Sequence, residues 1–334
     1  MTIPASRKPL SPAKIVSFLA GLAVLSLLFS QINFQDLSRL LFTIQPLHLF
    51  LGGVLYLGKA SIRSYRTVQL NRNSGLSLIR VLRLTLASSL ASQVLPFKLG
   101  ELSYVYLLKK EQQSSITQGL SSLALLRIFD VLAVALLFLA ISTGEGLPGY
   151  LSAYYVPLLL FIGGILLFLG IWVLVSRQKG FVSAEKIRIT RVFSQPVAKI
   201  IHSIEQLTTS MKQYKSAEYP GFIILACLEW LVNYAVFHII LVGMDFSPTF
   251  FVTVVSVSFS ILASVLPVNS LGNFGTQEAG WATGMVLMGF SRVDAIASGF
   301  ATHLITLGYF LLLGGFAWLS YWTESRTRAK VSDD

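Results

Sequence analysis

Of the chain's 334 residues, 54% are hydrophobic and only 12% charged, against about 25% charged in soluble domains. Several apolar runs reach the ~20 residues that a helix needs to cross a bilayer, which excludes a soluble globular domain and predicts an all-α polytopic membrane protein. The net charge of +11 does not argue for a nucleic-acid partner, because Lys and Arg gather between the hydrophobic segments, as they do in cytoplasmic loops.

A first span runs from about Lys14 to Ser30, and its basic flank (Arg7, Lys8, Lys14) places the N-terminus in the cytoplasm. Phe29-Ser30-Gln31-Ile32 is no small-x-small cleavage site, so the span is expected to stay uncleaved. Residues 31–46 carry only Asp36 and Arg39 as charges and suit an external loop. A second span covers Leu47 to Ser64. From Lys59 to Arg83 the chain has six cations (Lys59, Arg63, Arg66, Arg72, Arg80, Arg83) and no acid, which predicts a cytoplasmic segment with Arg63 and Arg66 in a topogenic role and, secondarily, recruiting phosphate. An element from Val81 to about Leu108 follows, broken between Pro96 and Gly100, and then Lys109 and Lys110. Spans at Gln118–Ser142 and Ala153–Val175 come next. Residues 177–218 hold eight Lys or Arg against three Glu and are expected to be cytoplasmic. Within them Val197, Ile200, Ile201, Ile204, Leu207, Met211 and Tyr214 recur at helical spacing, predicting an amphipathic helix on the inner leaflet or on the protein's own cytoplasmic face. A span at Pro220–Met244 contains the chain's one cysteine, Cys227, which reads as packing. A second broken element, Pro248 to about Phe290, precedes a last span, Val293–Trp322, and Arg326, Arg328 and Lys330 place the C-terminus in the cytoplasm.

The two broken elements share a sequence. Leu90-Ala91-Ser92-Gln93-Val94-Leu95-Pro96 answers Leu262-Ala263-Ser264-Val265-Leu266-Pro267, with one extra residue in the first copy. Gly100 and Glu101 follow one copy; Gly272, Gly275 and Glu278 follow the other. Charge bias makes the first element enter from the cytoplasm and the second from outside. The expected organisation is therefore two inverted-topology halves, 1–175 and 219–334, each with a broken or re-entrant hairpin (81–108 and 248–290), joined by a linker at 176–218.

Three motifs carry a resemblance over about Ala13 to Trp322: Leu95-Pro96-Phe97-Lys98-Leu99-Gly100-Glu101, Leu126-Arg127-Ile128-Phe129-Asp130, and Pro267 followed by Gly272, Gly275 and Glu278. In these the chain resembles the lysylphosphatidylglycerol synthase transmembrane domain family, also called the flippase-like domain family. Ser103 and Tyr104 stand where members of that family often place Arg, and only about a dozen residues follow the last span, so no C-terminal aminoacyl-transferase domain is expected. The resemblance implies translocation of a lipid or lipid-linked substrate, not aminoacyl transfer.

Ionisable groups inside a bilayer are costly and so mark candidate sites. Arg127 and Asp130, about one helical turn apart, are placed to form an ion pair, either as mutual neutralisation or with Asp130 orienting Arg127 towards a lipid phosphate. Glu101 and Glu278 sit beyond the helix breaks and suit an anionic head group's half-helix site with Lys98, a cationic head group, a coupling proton, or a plain structural cap. Asn269 and Asn273 add polar lining to the second element. Glu229 is a lone carboxylate in mid-span with Asn233 one turn on, while His238 and His303 read as packed helix residues. There is no metal-binding cluster, Walker loop or nucleophile elbow, so no cofactor and no catalytic residue is expected. The leading expectation is a flippase-like translocator of phospholipid or lipid-linked sugar in a prokaryotic inner membrane. A membrane-embedded transferase, or a subunit partnering a separate synthase, stays open, as does a homo-oligomer.

Overall fold

The computed structural model describes residues 26–28, 30, 34–72, 75–94, 99–112, 116–145, 214, 216–265, 274–321 and 323. Outside these lie most of the expected first span, the span at 153–175, nearly all of the interfacial linker, and the basic C-terminal residues Arg326, Arg328 and Lys330. Every regular element among the described residues is a helix, and none is a strand.

Helix α1 (Phe34–Thr43) forms where an external loop was expected. Leu37, Leu40, Leu41 and Ile44 recur at i, i+3, i+4 and i+7, and this apolar stripe packs on the core. Pro46, the first residue of α2 (Pro46–Leu70), suits a helix start but cannot continue α1, and the two helices meet at 80°. Helix α2 runs beyond the expected end at Ser64, because Arg63 and Arg66 find partners inside the bundle. Then come α3 (Leu78–Val94), α4 (Leu99–Gln112), α5 (Ile116–Glu145), α6 (Tyr219–Gly243), α7 (Phe250–Val265), α8 (Thr276–Leu287) and α9 (Arg292–Tyr309), which continues through a π-turn at Phe310–Gly314 to Tyr321. The stretches Gly119–Ile141, Tyr219–Gly243 and Arg292–Tyr321 are long and apolar enough to cross a membrane, as is the bent α1–α2 pair. The protein is an all-α polytopic membrane protein.

Hydrogen bonds at the helix ends fix the relative directions. The Gln45 N–H at the start of α2 donates to the Gly243 carbonyl at the end of α6 (3.1 Å), while Tyr214 Oη donates to the Leu70 carbonyl and Arg72 pairs with Glu218 at the opposite ends, so α2 and α6 are antiparallel. Asn71 Nδ2 donates to Ser122 Oγ (2.8 Å), bringing the first turns of α5 to the end of α2. Trp318 Nε1 donates to the Ala87 carbonyl (3.0 Å) and Gly314 lies against Leu90, so α9 passes antiparallel to α3. Helix α3 packs on α4, and α7 on α8. In the second pair Gly280 faces Ser260 and Gly284 faces Ser256, an antiparallel hairpin whose small residues let two backbones touch. The α3–α4 pair starts where α2 finishes, and α7–α8 starts where α6 finishes, at the other end of the bundle. The 12 residues of α8 rise only about 18 Å, short of the ~30 Å hydrocarbon layer.

Ser291 caps α9 by accepting from the Asp294 N–H (3.1 Å) and donating to Asp294 Oδ2 (2.7 Å). Ser291→Ala should lower stability by about 1 kcal/mol, read as a shifted unfolding midpoint in detergent with unchanged helix content; no shift would remove the cap from the account.

Candidate functional site

Lys59, Arg63 and Arg66 follow one another at i, i+4 and i+7, so α2 presents them on one face. That face meets Asp130 from the middle of α5 and Glu229 from the middle of α6. Arg66 Nη1 donates to Asp130 Oδ1 (2.7 Å) and to Glu229 Oε2, and its Nη2 reaches towards the Leu126 carbonyl at 3.4 Å. Arg63 Nη1 donates to Glu229 Oε1 (3.1 Å) and lies 3.4 Å from Asp130 Oδ2. Two cations and two anions thus form a closed, neutral square across three helices. The side chains of Arg66, Glu229 and Asp130 are 1%, 2% and 4% exposed, whereas that of Arg63 is 21% exposed. Lys59, half-buried, donates from Nζ to Asn233 Oδ1 (2.8 Å), one turn from Glu229. Arg127 is exposed and close enough to act electrostatically on both Asp130 and Lys59. The square with these two neighbours carries a surplus of positive charge.

Aromatic packing seats the square. Phe129 packs on Phe222 (5.5 Å) and Tyr219 (6.5 Å), joining α5 to α6. One turn before Lys59, Tyr56 meets Phe310 edge-on at 5.2 Å, tying α2 to the π-turn of α9. An unpaired charge in such a place would cost several kcal/mol, and here each charge has two opposite partners.

A second cluster stands at the start of α8. Gly275 is its N-cap, with φ +95°, a conformation that needs glycine. Its N–H donates to Glu278 Oε2 (2.6 Å), so the Glu278 carboxylate caps the helix from within its first turn. His303 on α9 donates from Nδ1 to Glu278 Oε1. The Phe274 ring stacks on His303 at 4.2 Å.

The expected site residues therefore fall in several places. Asp130 and Glu229 meet in the square, with Arg127 beside it. The guanidinium groups that bond Asp130 in the square come from α2, not from its own helix. Glu278 lies in the second cluster, with His303. Gly100 and Glu101 fall in the first turn of α4, and Gly275 ends the second break. Pro96, Lys98, Pro267, Asn269, Gly272 and Asn273 lie outside the described residues. The sequence gives Arg63 and Arg66 a topogenic role first and phosphate recruitment second, and gives Lys59 no role beyond its charge. Their i, i+4, i+7 spacing was the sign that they share a helix face. Among the described residues no three His, Cys, Asp or Glu side chains converge as a metal site would require.

Membrane-crossing helices around a buried, charge-balanced polar centre define an integral membrane domain rather than a peripheral or soluble one. The chain belongs to the lysylphosphatidylglycerol synthase transmembrane region family, whose model matches residues 14–315. Comparison with curated proteins yields no match. Comparison with solved structures yields none either.

Proposed function

We propose that the protein moves a lipid or lipid-linked polar head group across the cytoplasmic membrane by alternating access, with both termini on the cytoplasmic side. The observation that carries this reading is the Arg63–Arg66–Asp130–Glu229 square. Buried ionisable groups are expensive in a bilayer, and their default explanation is a substrate or ion path. Three corners of the square are buried residues, and the fourth is the part-exposed Arg63. An incoming phosphate can take the place of a carboxylate oxygen on that guanidinium, two oxygens to a planar fork, while Lys59 and Arg127 add attraction. Family membership supports the reading, since the family is named for an enzyme of lipid chemistry. The opposed entry of the α3–α4 and α7–α8 hairpins supports it too, because two short broken elements in corresponding halves are the pattern of an inverted-repeat transporter. Lys98, Glu101, Asn269 and Asn273 would line the path at the two breaks.

The test reconstitutes the protein in liposomes with fluorescent phospholipids and lipid-linked sugars, and times their exposure to a membrane-impermeant quencher. Arg63→Gln removes one charge-assisted contact, worth about 1.5–3 kcal/mol, and should slow exposure by about tenfold or more while the protein stays folded. Folded wild-type protein that exposes no lipid would overturn the proposal and favour the transferase or partner-subunit readings.

A further inference from the structure

The square does not use the most enclosed titratable pair elsewhere in the bundle. Glu278 is 1% exposed and His303 3% exposed, and they join α8, one arm of a broken hairpin, to the long spanning helix α9. The carboxylate accepts twice, from the Gly275 N–H through Oε2 and from His303 Nδ1 through Oε1. With the Nδ1 proton held there, the neutral ring keeps its lone pair on Nε2. That atom is buried and has no hydrogen-bond partner among the described residues, and the same is true of Thr276 Oγ1 in the first turn of α8. Buried polar atoms are seldom left so, and these two lie at the start of α8 and on the helix it packs against. The Phe274 ring stacks on the imidazole face, leaving Nε2 as the ring's one unused polar atom.

We propose that Glu278 and His303 form a proton-carrying site that ties the position of the α7–α8 hairpin to protonation. This rests on the translocation reading above and adds its energy source. A hydronium ion gives one proton to Nε2, so that one O–H bond breaks, one N–H bond forms and a water molecule is left, while the Nδ1–H stays donated to Glu278. The imidazolium–carboxylate pair then clamps α9 to the capped start of α8. Loss of the proton to the other side reduces the clamp from an ion pair to a single hydrogen bond from the neutral imidazole to the carboxylate and lets the arm turn about Gly275. Around α9, α8 supplies Glu278 as the charged contact. On α6, Glu229 is held by the two arginines and His238 bonds Thr253 (3.1 Å). On α2, Arg63 and Arg66 are held in the square and Lys59 bonds Asn233. On α1, Asp36 and Arg39 stand near the bundle's rim, half-buried and exposed. On α9 itself, Arg292 and Asp294 lie at the exposed N-terminus, and Tyr309 donates to the Leu49 carbonyl.

The experiment measures lipid exposure in proteoliposomes under imposed pH gradients of either sign, for wild type and His303→Gln, alongside ¹⁵N-histidine spectra of the wild type in nanodiscs. The wild-type rates in the two gradients should differ about fivefold or more, the scale of a typical coupling between sites, and His303→Gln should show one rate in both. Equal wild-type rates, or a gradient response that survives His303→Gln, overturn the proton site and leave translocation standing. If wild type moves no lipid, or the variant moves none, the spectra decide. The His303 signal should pass from the neutral to the imidazolium pattern on acidification, and a ring that never does so overturns the site.

Discussion

Arg66→Leu should lower stability by about 3–5 kcal/mol, seen as a large fall in the unfolding midpoint of the detergent-solubilised protein. Arg66 is 1% exposed, and one of its nitrogens bonds both carboxylates of the square. Leucine leaves Asp130 and Glu229 buried with only Arg63 between them, one cation against two anions. The cost comes mostly from the charge left uncompensated, not from the worth of the pair, because burying an ion pair is itself near break-even. That distinction can be measured. Arg66→Leu/Asp130→Leu restores one cation to one anion, Arg63 with Glu229, and should recover much of the loss, a coupling of a few kcal/mol in a double-mutant cycle. Arg66→Lys should fall between, since an ammonium keeps the charge but lacks the second nitrogen that reaches the Leu126 carbonyl. A loss under about 1 kcal/mol for Arg66→Leu would mean that water reaches the square and that it behaves as a surface ion pair.

The long apolar runs made the spanning helices legible in the sequence. Expected spans at Gln118–Ser142, Pro220–Met244 and Val293–Trp322 compare with helices at Ile116–Glu145, Tyr219–Gly243 and Arg292–Tyr321. The family was legible from three short motifs, and the matched region, 14–315, bears that out. Charge patterning did not show the partners of the α2 cations, because their counter-charges, Asp130 and Glu229, stand far along the chain and meet them only in the folded bundle. Helix α1 was missed because ten residues are too few to register as a span, although its apolar stripe was there to read. His303 was read as a packed, hydrogen-bonded histidine, which it is. What the sequence could not supply was its partner, because Glu278 reaches it only once the broken hairpin closes on α9.

Gly280→Leu should destabilise the protein by about 3 kcal/mol, the upper end of what overpacking costs, by prising open the α7–α8 hairpin. A Cβ at Gly280 would overlap the Phe259 carbonyl oxygen and lie 2.7 Å from Ala263 Cβ and 2.8 Å from Ser260 Cα. Two of these atoms are backbone, so no side-chain rotation relieves the clash and the whole arm must move. The same contact holds one turn on, where a Cβ at Gly284 would lie 2.6 Å from Ser256 Cα. The Gly280/Gly284 pair against Ser256 and Ser260 is a small-residue seam, the kind that binds membrane helices through close packing where no hydrophobic force separates helix from lipid. Ser260 Oγ adds a bond to the Gln277 carbonyl (3.0 Å), fixing the seam next to the Glu278 cap. Opening the seam therefore also displaces Glu278 from His303, and the ¹⁵N spectrum of His303 should change in the variant even under conditions where the bundle remains folded. Gly308→Ala is the control. It lies in α9 with nothing within 4 Å of its added carbon, so it should be neutral or slightly stabilising. If Gly280→Leu proved as benign as Gly308→Ala, the two arms would not be in contact in the membrane, and the hairpin would have to be replaced by two separated spans.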